Sequence, residues 1–144
     1  MPTIWTIGYE QTTMSAFLAA LQGAGVELVA DVRAIAASRR PGFAKNALAA
    51  NLAEAGIDYR HFRALGTPPD GRAAARALDL PKLERIYAGQ LELPEAMAAG
   101  AELADLAHQR RVALLCYERD PACCHRTLLR QAVLPDCAAV DLYP

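Results

Sequence analysis

The stretch Val112-Ala-Leu-Leu-Cys-Tyr-Glu-Arg-Asp-Pro-Ala-Cys-Cys-His-Arg-Thr-Leu-Leu-Arg130 decides how this chain is read. It follows a basic pair, Arg110 and Arg111, and opens on the uncharged run Val112, Ala113, Leu114 and Leu115. A short apolar run of this kind, placed after a helix-like segment, predicts a strand buried on both faces of a parallel sheet. The run breaks at Cys116, Tyr117, Glu118, Arg119 and Asp120. Asp120-Pro121 predicts a helix start, because Asp accepts from free first-turn amides and Pro is preset for the first helical position. The helical pattern carries Leu128, Leu129, Ala132 and Val133 on one side until Pro135 stops it. A thiol, a carboxylate, an imidazole and a guanidinium thus crowd one strand-to-helix turn, and the chemistry is expected there.

The same alternation extends outward through the chain. Residues 3–9 read as a strand, and Thr12 or Thr13 caps a helix striped by Met14, Phe17, Leu18 and Leu21 and ended by Gly23 and Gly25. Residues 26–32 read as a second strand, which makes a right-handed crossover with parallel strands. After a polar loop over 34–43, Leu48, Leu52 and Ala55 mark a helix, and residues 57–62 a short third strand. Residues 65–71 are expected to be loop throughout, and residues 72–88 helical in pieces, interrupted at Pro81. Pro94 opens a further helix with Met97, Ala101, Ala104 and Leu103 or Leu106 inward, and residues 138–142 form a last strand. The expected fold is α/β: one domain over residues 1–144, with a mainly parallel sheet covered by helices on both faces, three-layered and Rossmann-like.

At 144 residues the chain can build a real core without disulfide or metal staples. No apolar run approaches the roughly 18 residues needed to span a bilayer, and no targeting segment is visible at the start, so a cytoplasmic protein without membrane contact is expected. Four irregularly spaced cysteines, two of them adjacent at Cys123 and Cys124, fit reduced thiols better than a disulfide framework. The formal net charge is −1, yet six basic residues face two acidic ones between Arg33 and Arg63. A locally basic segment in a neutral protein suits a small anionic ligand better than a nucleic-acid surface.

Ligands of parallel sheets bind outside the carboxyl ends of the strands. Tyr9, Asp31, Arg33, Arg60, His61, Cys116 and Glu118 all fall at such ends. Glu118 is a candidate nucleophile or general acid/base; its alternative is an ion pair with Arg33, Arg119 or Arg126. Cys116 is a candidate thiol nucleophile, or an inert core cysteine sharing its face with Val112 and Leu114. His125 is a proton donor or a structural histidine, and Asp31 orients Arg33 or a substrate hydroxyl, or closes a salt bridge. Arg33 and Arg126 are expected to grip the anion, with Tyr9 beside them and Ser38 and Arg39 on a basic loop that resembles a phosphate clamp. Cys116, Cys124 and His125 are a further grouping, but their spacing matches no tetrahedral zinc pattern and no metal ligand is assigned. No dinucleotide fingerprint or phosphate-loop lysine motif is present, so no cofactor is expected.

Thr6-Ile7-Gly8-Tyr9, Asp31-Val32-Arg33, Ser38 with Pro41 and Phe43, Tyr59 with Leu65-Gly66, and Cys116-x-Glu118 followed by Pro121 and Cys124-His125-Arg126 together resemble the domain of unknown function 488 family. The resemblance covers nearly the whole chain. Thr67 departs from it, standing where many members have a second glycine. It implies a compact bacterial or archaeal cytoplasmic domain whose listed residues share one site, and it supplies no reaction. Three functions follow. The first is an enzyme acting on a small phosphorylated or nucleotide-like anion. The second is a nucleic-acid-associated module using Arg39, Arg40, Lys45, Arg60 and Arg63. The third is a thiol or metal protein built on Cys116, Cys124 and His125. The absence of aromatics interleaved with those arginines counts against the second.

Overall fold

The computed structural model describes residues 2–144, with Cys123 described by its backbone alone. The apolar run at 112 forms the strand β4 (Val112–Cys116), and every residue of it is buried. It lies at the centre of a five-stranded sheet in the order β3-β2-β4-β1-β5, and every pairing is parallel. The other strands are β1 (Thr3–Gly8), β2 (Leu28–Asp31), β3 (Asp58–His61) and β5 (Ala138–Leu142). Successive side chains of β4 point to opposite faces. Val112 and Leu114 enter one core cluster, and Ala113 and Leu115 the other.

Helices close both clusters. Helix α1 (Met14–Ala24) supplies Phe17 and Leu21 to one, and α2 (Lys45–Glu54) supplies Leu48 and Leu52. On the opposite face α4 (Leu80–Leu91) contributes Tyr87, α5 (Pro94–Gln109) contributes Leu103 and Ala107, and α6 (His125–Val133) contributes Leu129. The result is the expected single α/β domain of three layers. Thr13 caps α1 through a hydrogen bond from Ala16 N, and Gly25 ends it in the left-handed conformation, φ +72°.

Three local expectations are corrected. Residues 65–71 are not all loop: α3 (Pro69–Arg76) begins inside them, with Pro69 in the first turn, where its missing N–H costs nothing. Pro81 likewise opens α4 instead of interrupting a helix, behind Asp79, whose side chain accepts from Lys82 N. On α5 the buried side is Ala96, Gly100, Leu103 and Ala107, while Met97 is 63% exposed. Small residues win that face because the helix packs closely against α6; a methyl group on Gly100 would meet Val133 at the end of that helix.

The fourth correction matters most for the site. Asp120 and Pro121 start only a 3-10 turn, Pro121–Cys123, with Ala122 N donating to Asp120 Oδ1 at 2.9 Å. Cys124 is then extended (φ −143°, ψ 158°), and α6 begins at His125. The helix cap is the sulfur of Cys124, which accepts from Arg126 N at 3.4 Å. The chain gives up a continuous helix at 124 because this break turns Cys124 and His125 toward the end of β4.

Candidate functional site

All strands being parallel, their carboxyl ends share one edge, and the register sets Gly8 beside Cys116 and Asp31 beside Leu115 and His61. From β2 the chain leaves toward β3 through α2 on one face, and from β4 toward β5 through α6 on the other. Connections that part in this way leave a crevice between two strand ends. A cavity of about 220 Å³ lies there, lined among others by Tyr9, Arg33, Ala34, Cys116, Glu118, Cys124 and His125.

Two polar networks meet at the crevice. In the first, Asp31 is wholly buried and accepts from Arg33 Nε (2.8 Å), Arg33 Nη2 (2.7 Å), Arg33 N (3.1 Å) and the Tyr59 hydroxyl (2.5 Å). Arg33 Nη1 donates to Tyr9 Oη (3.2 Å) and Phe43 O (2.8 Å). Burial opposes the Arg33 charge, but the Asp31 bonds more than offset that and raise its pKa. Burial and the bond to Asp31 push the Tyr59 hydroxyl above the usual phenol range. Tyr9 stacks on Phe43 at 4.7 Å between ring centroids and meets Tyr117 edge-on. This network pins the loop after β2 to the ends of β1 and β3. Arg33 reaches the cavity wall, but four of its five N–H donors are already engaged inside the protein.

The second network holds the chemistry. Cys116 Sγ lies 3.1 Å from Glu118 Oε2 and 3.7 Å from His125 Nδ1; Cys124 Sγ lies 3.9 Å from the same nitrogen. His125 Nε2 is 2.7 Å from Val32 O, and since a carbonyl only accepts, Nε2 carries a proton and Nδ1 faces the sulfurs. Arg126, with no exposed surface, donates from Nε to Cys124 Sγ (3.3 Å) and from Nη2 to Glu118 O (2.5 Å). Burial alone would keep Cys124 a neutral thiol. The hydrogen bond from Cys116, the His125 imidazole and the Arg126 guanidinium outweigh it and hold the Cys124 pKa well below the usual thiol range. Cys116, giving that hydrogen bond from the same buried spot, is pushed well above it. Burial disfavours a charged His125, but the Cys124 charge and hydrogen bond raise its pKa. Glu118 is raised by burial and then by the Cys124 charge.

Glu118 is thus not the ion-pair partner of an arginine. Among the described residues no salt bridge joins its carboxylate to Arg33, Arg119 or Arg126; Arg126 takes its backbone carbonyl instead. Asp31 and Arg126 sit behind the cavity wall rather than on it. Ser38 and Arg39 do not line it: Ser38 Oγ accepts from Arg40 N, and Arg39 is exposed. Arg40 closes over the end of β1, donating to the carbonyls of Tyr9 and Thr12. The thiol of Cys123 lies outside the described residues.

The sequence reading missed Arg72, Thr67 and Tyr117, which also line the cavity. Arg72 Nη1 donates to Thr67 O at 2.9 Å. Its signal lay in Pro69-Asp70, a helix start that would have set Arg72 on the first turn of α3. The role of Cys124 had a signal as well: a cysteine two residues before an arginine at a helix start is placed to be a stabilised thiolate.

The family model described as "Domain of unknown function DUF488" matches residues 13–133. No curated protein and no solved structure matches the chain.

Proposed function

The chain belongs to the domain of unknown function 488 family, and we propose that it is an enzyme acting on a small anionic molecule bound in the crevice at the carboxyl edge of the sheet. Glu118 carries this reading. Its carboxyl lines the cavity without an arginine partner, and burial together with the neighbouring thiolate raises its pKa toward the range where a group both gives and takes protons. Glu118 is the proton-transferring residue, and His125, with Nδ1 toward the sulfurs and Nε2 held by Val32 O, fixes the floor of the site. Asp31 and Arg33 act as a rigid frame. The anion is drawn by Arg72 on the cavity wall, because the guanidinium of Arg126 is spent on Cys124 and Glu118 O.

The basic surface supports a nucleic-acid role less well. Arg60 pairs with Glu102 and lies over Phe62, and Arg40 is tied to two backbone carbonyls. Thermal unfolding titrated with phosphate, pyrophosphate, nucleotides and small carboxylates tests the reading. One of them should raise the melting temperature, with about 2.7 kcal/mol added at one hundred times its dissociation constant. Arg72→Ala should remove that gain, and Glu118→Gln should keep the gain while abolishing turnover. If none of the panel stabilises the protein, the substrate class is wrong.

A further inference from the structure

We infer that Cys116, Cys124 and His125 form a binding site for one zinc-type cation whose remaining coordination position opens into the cavity. The three ligand atoms lie within 4.8 Å of one another, and all three residues are buried. A tetrahedral ion with Zn–S of about 2.3 Å and Zn–N of about 2.0–2.1 Å sets sulfur and nitrogen about 3.6 Å apart. The observed separations from His125 Nδ1 are 3.7 Å to Cys116 Sγ and 3.9 Å to Cys124 Sγ. The site is therefore nearly assembled for an ion.

The surroundings agree. A ligating histidine normally gives its other ring N–H to a backbone carbonyl, which fixes the ring and the tautomer; His125 Nε2 meets Val32 O at 2.7 Å. Cys124 Sγ receives N–H groups from Arg126 N and Nε, which suit a thiolate ligand. Two thiols and an imidazole differ in hydrogen-bonding need, and a purely apolar core would not gather them; Cys137, also buried, shows what an ordinary core cysteine looks like here. The other candidate grouping, His108 with Asp136 and Cys137, fails on the same ground. Both ring nitrogens of His108 face acceptors already, Ala104 O and Asp136 Oδ2 at 2.7 Å each.

Three protein ligands with a fourth position left open are the mark of a catalytic zinc site, whereas structural sites are closed by four. All three ligands line the cavity together with Glu118, so a water or substrate oxygen at the fourth position would meet that carboxyl. The inference rests on the cavity being the working site, as proposed above, and adds a Lewis acid to its floor. The linear spacing hides the set: Cys116 ends β4, while Cys124 and His125 begin α6 across the 3-10 turn.

The test uses the full chain, stripped with a chelator under reducing conditions, loaded with Zn(II) or Co(II) and desalted. One equivalent of metal per chain is expected, with a thiolate-to-metal charge-transfer band in the Co(II) form. Cys124→Ser keeps a good helix cap, so it should fold and yet bind Zn(II) more weakly by more than the roughly 10–100-fold that loss of an outer-sphere partner costs. His125→Ala should do the same, and Cys137→Ser should keep the full equivalent. Should a ligand variant fail to fold, Zn(II) protection of Cys116 and Cys124 from alkylation in the wild type gives the same answer. Wild type that emerges without metal, or with both thiols unprotected, overturns the inference. Glu118→Gln separates the two readings: retained metal with unaltered turnover sinks its proton-transfer role and leaves the metal site, whereas stabilisation by an anion without any bound metal does the reverse.

Discussion

Gly8 is set against Cys116 in the sheet register, and the chain leaving β4 crosses directly over it. A methyl group there would run into the carbonyl of Glu118, the same oxygen that accepts from buried Arg126 Nη2. Gly8→Ala should therefore cost about 1–3 kcal/mol by overpacking, read from urea unfolding. Gly89, inside α4 with open space where a β-carbon would stand, is the counter-case: Gly89→Ala should stabilise by about 0.5–1 kcal/mol. Arg126→Met keeps most of the buried volume but leaves the Glu118 carbonyl without its guanidinium, at a cost of about 1–3 kcal/mol. Because Gly8→Ala and Arg126→Met disturb one oxygen, their effects should not add in a double-mutant cycle. Additivity within about 0.3–0.5 kcal/mol would show that the two residues are independent.

Between elements, His108 near the end of α5 is joined to Asp136 in the turn before β5. With acceptors at both ring nitrogens, the folded protein favours the imidazolium. The bond His108 donates to the Ala104 carbonyl and the pairing with Asp136 raise the His108 pKa above 6.5, and His108 lowers that of Asp136 below 3.8. The His108 contribution is full below its unfolded value and is lost as pH rises through the raised folded value. The Asp136 contribution is present above its unfolded value and is lost as pH falls through the lowered one. The pair should stabilise most between 3.8 and 6.5. His108→Ala should melt below wild type at about pH 5 and converge with it in alkaline buffer, with salt shrinking the gap, since both groups are exposed. A gap independent of pH would mean that the ring acts by packing alone.

Across the whole molecule, stability is concentrated on the centre of the sheet. Leu115 has no exposed surface, has β1 and β2 as sheet neighbours, and packs against the α1 and α2 layer. Leu115→Ala should cost about 2–5 kcal/mol. Val140 on the edge strand β5 is 43% exposed, and Val140→Ala should stay within about 0.5 kcal/mol. Equal losses at the two positions would contradict the layered core. No helix among the described residues is long and apolar enough to cross a membrane. The proposed site lies where this rigid centre ends: β4 stops at Cys116, and the next ten residues supply Glu118, Cys124, His125 and Arg126.

The alternation of apolar runs with helical stripes was enough for the fold, because period and turn residues are local properties of the chain. It placed all five strands, and it brought Tyr9, Arg33, Cys116, Glu118 and His125 to one edge, since parallel strands must end together. Side-chain partnership is not local, and there the tertiary structure decided. Arg33 and Arg126 look alike in sequence as free cations, but one is closed by Asp31, Tyr9 and Phe43 and the other by Cys124 and Glu118. Arg72 enters the cavity because α3 starts at Pro69, two residues before the end of the apparent loop at 71. The break at Cys124 was illegible for the same reason: Asp-Pro is a sound local helix start. The extended Cys124 that delays α6 is favoured by its own bond from Arg126 and by the contacts of the next residue, His125, with Cys116 and Val32, which exist only once the chain has folded.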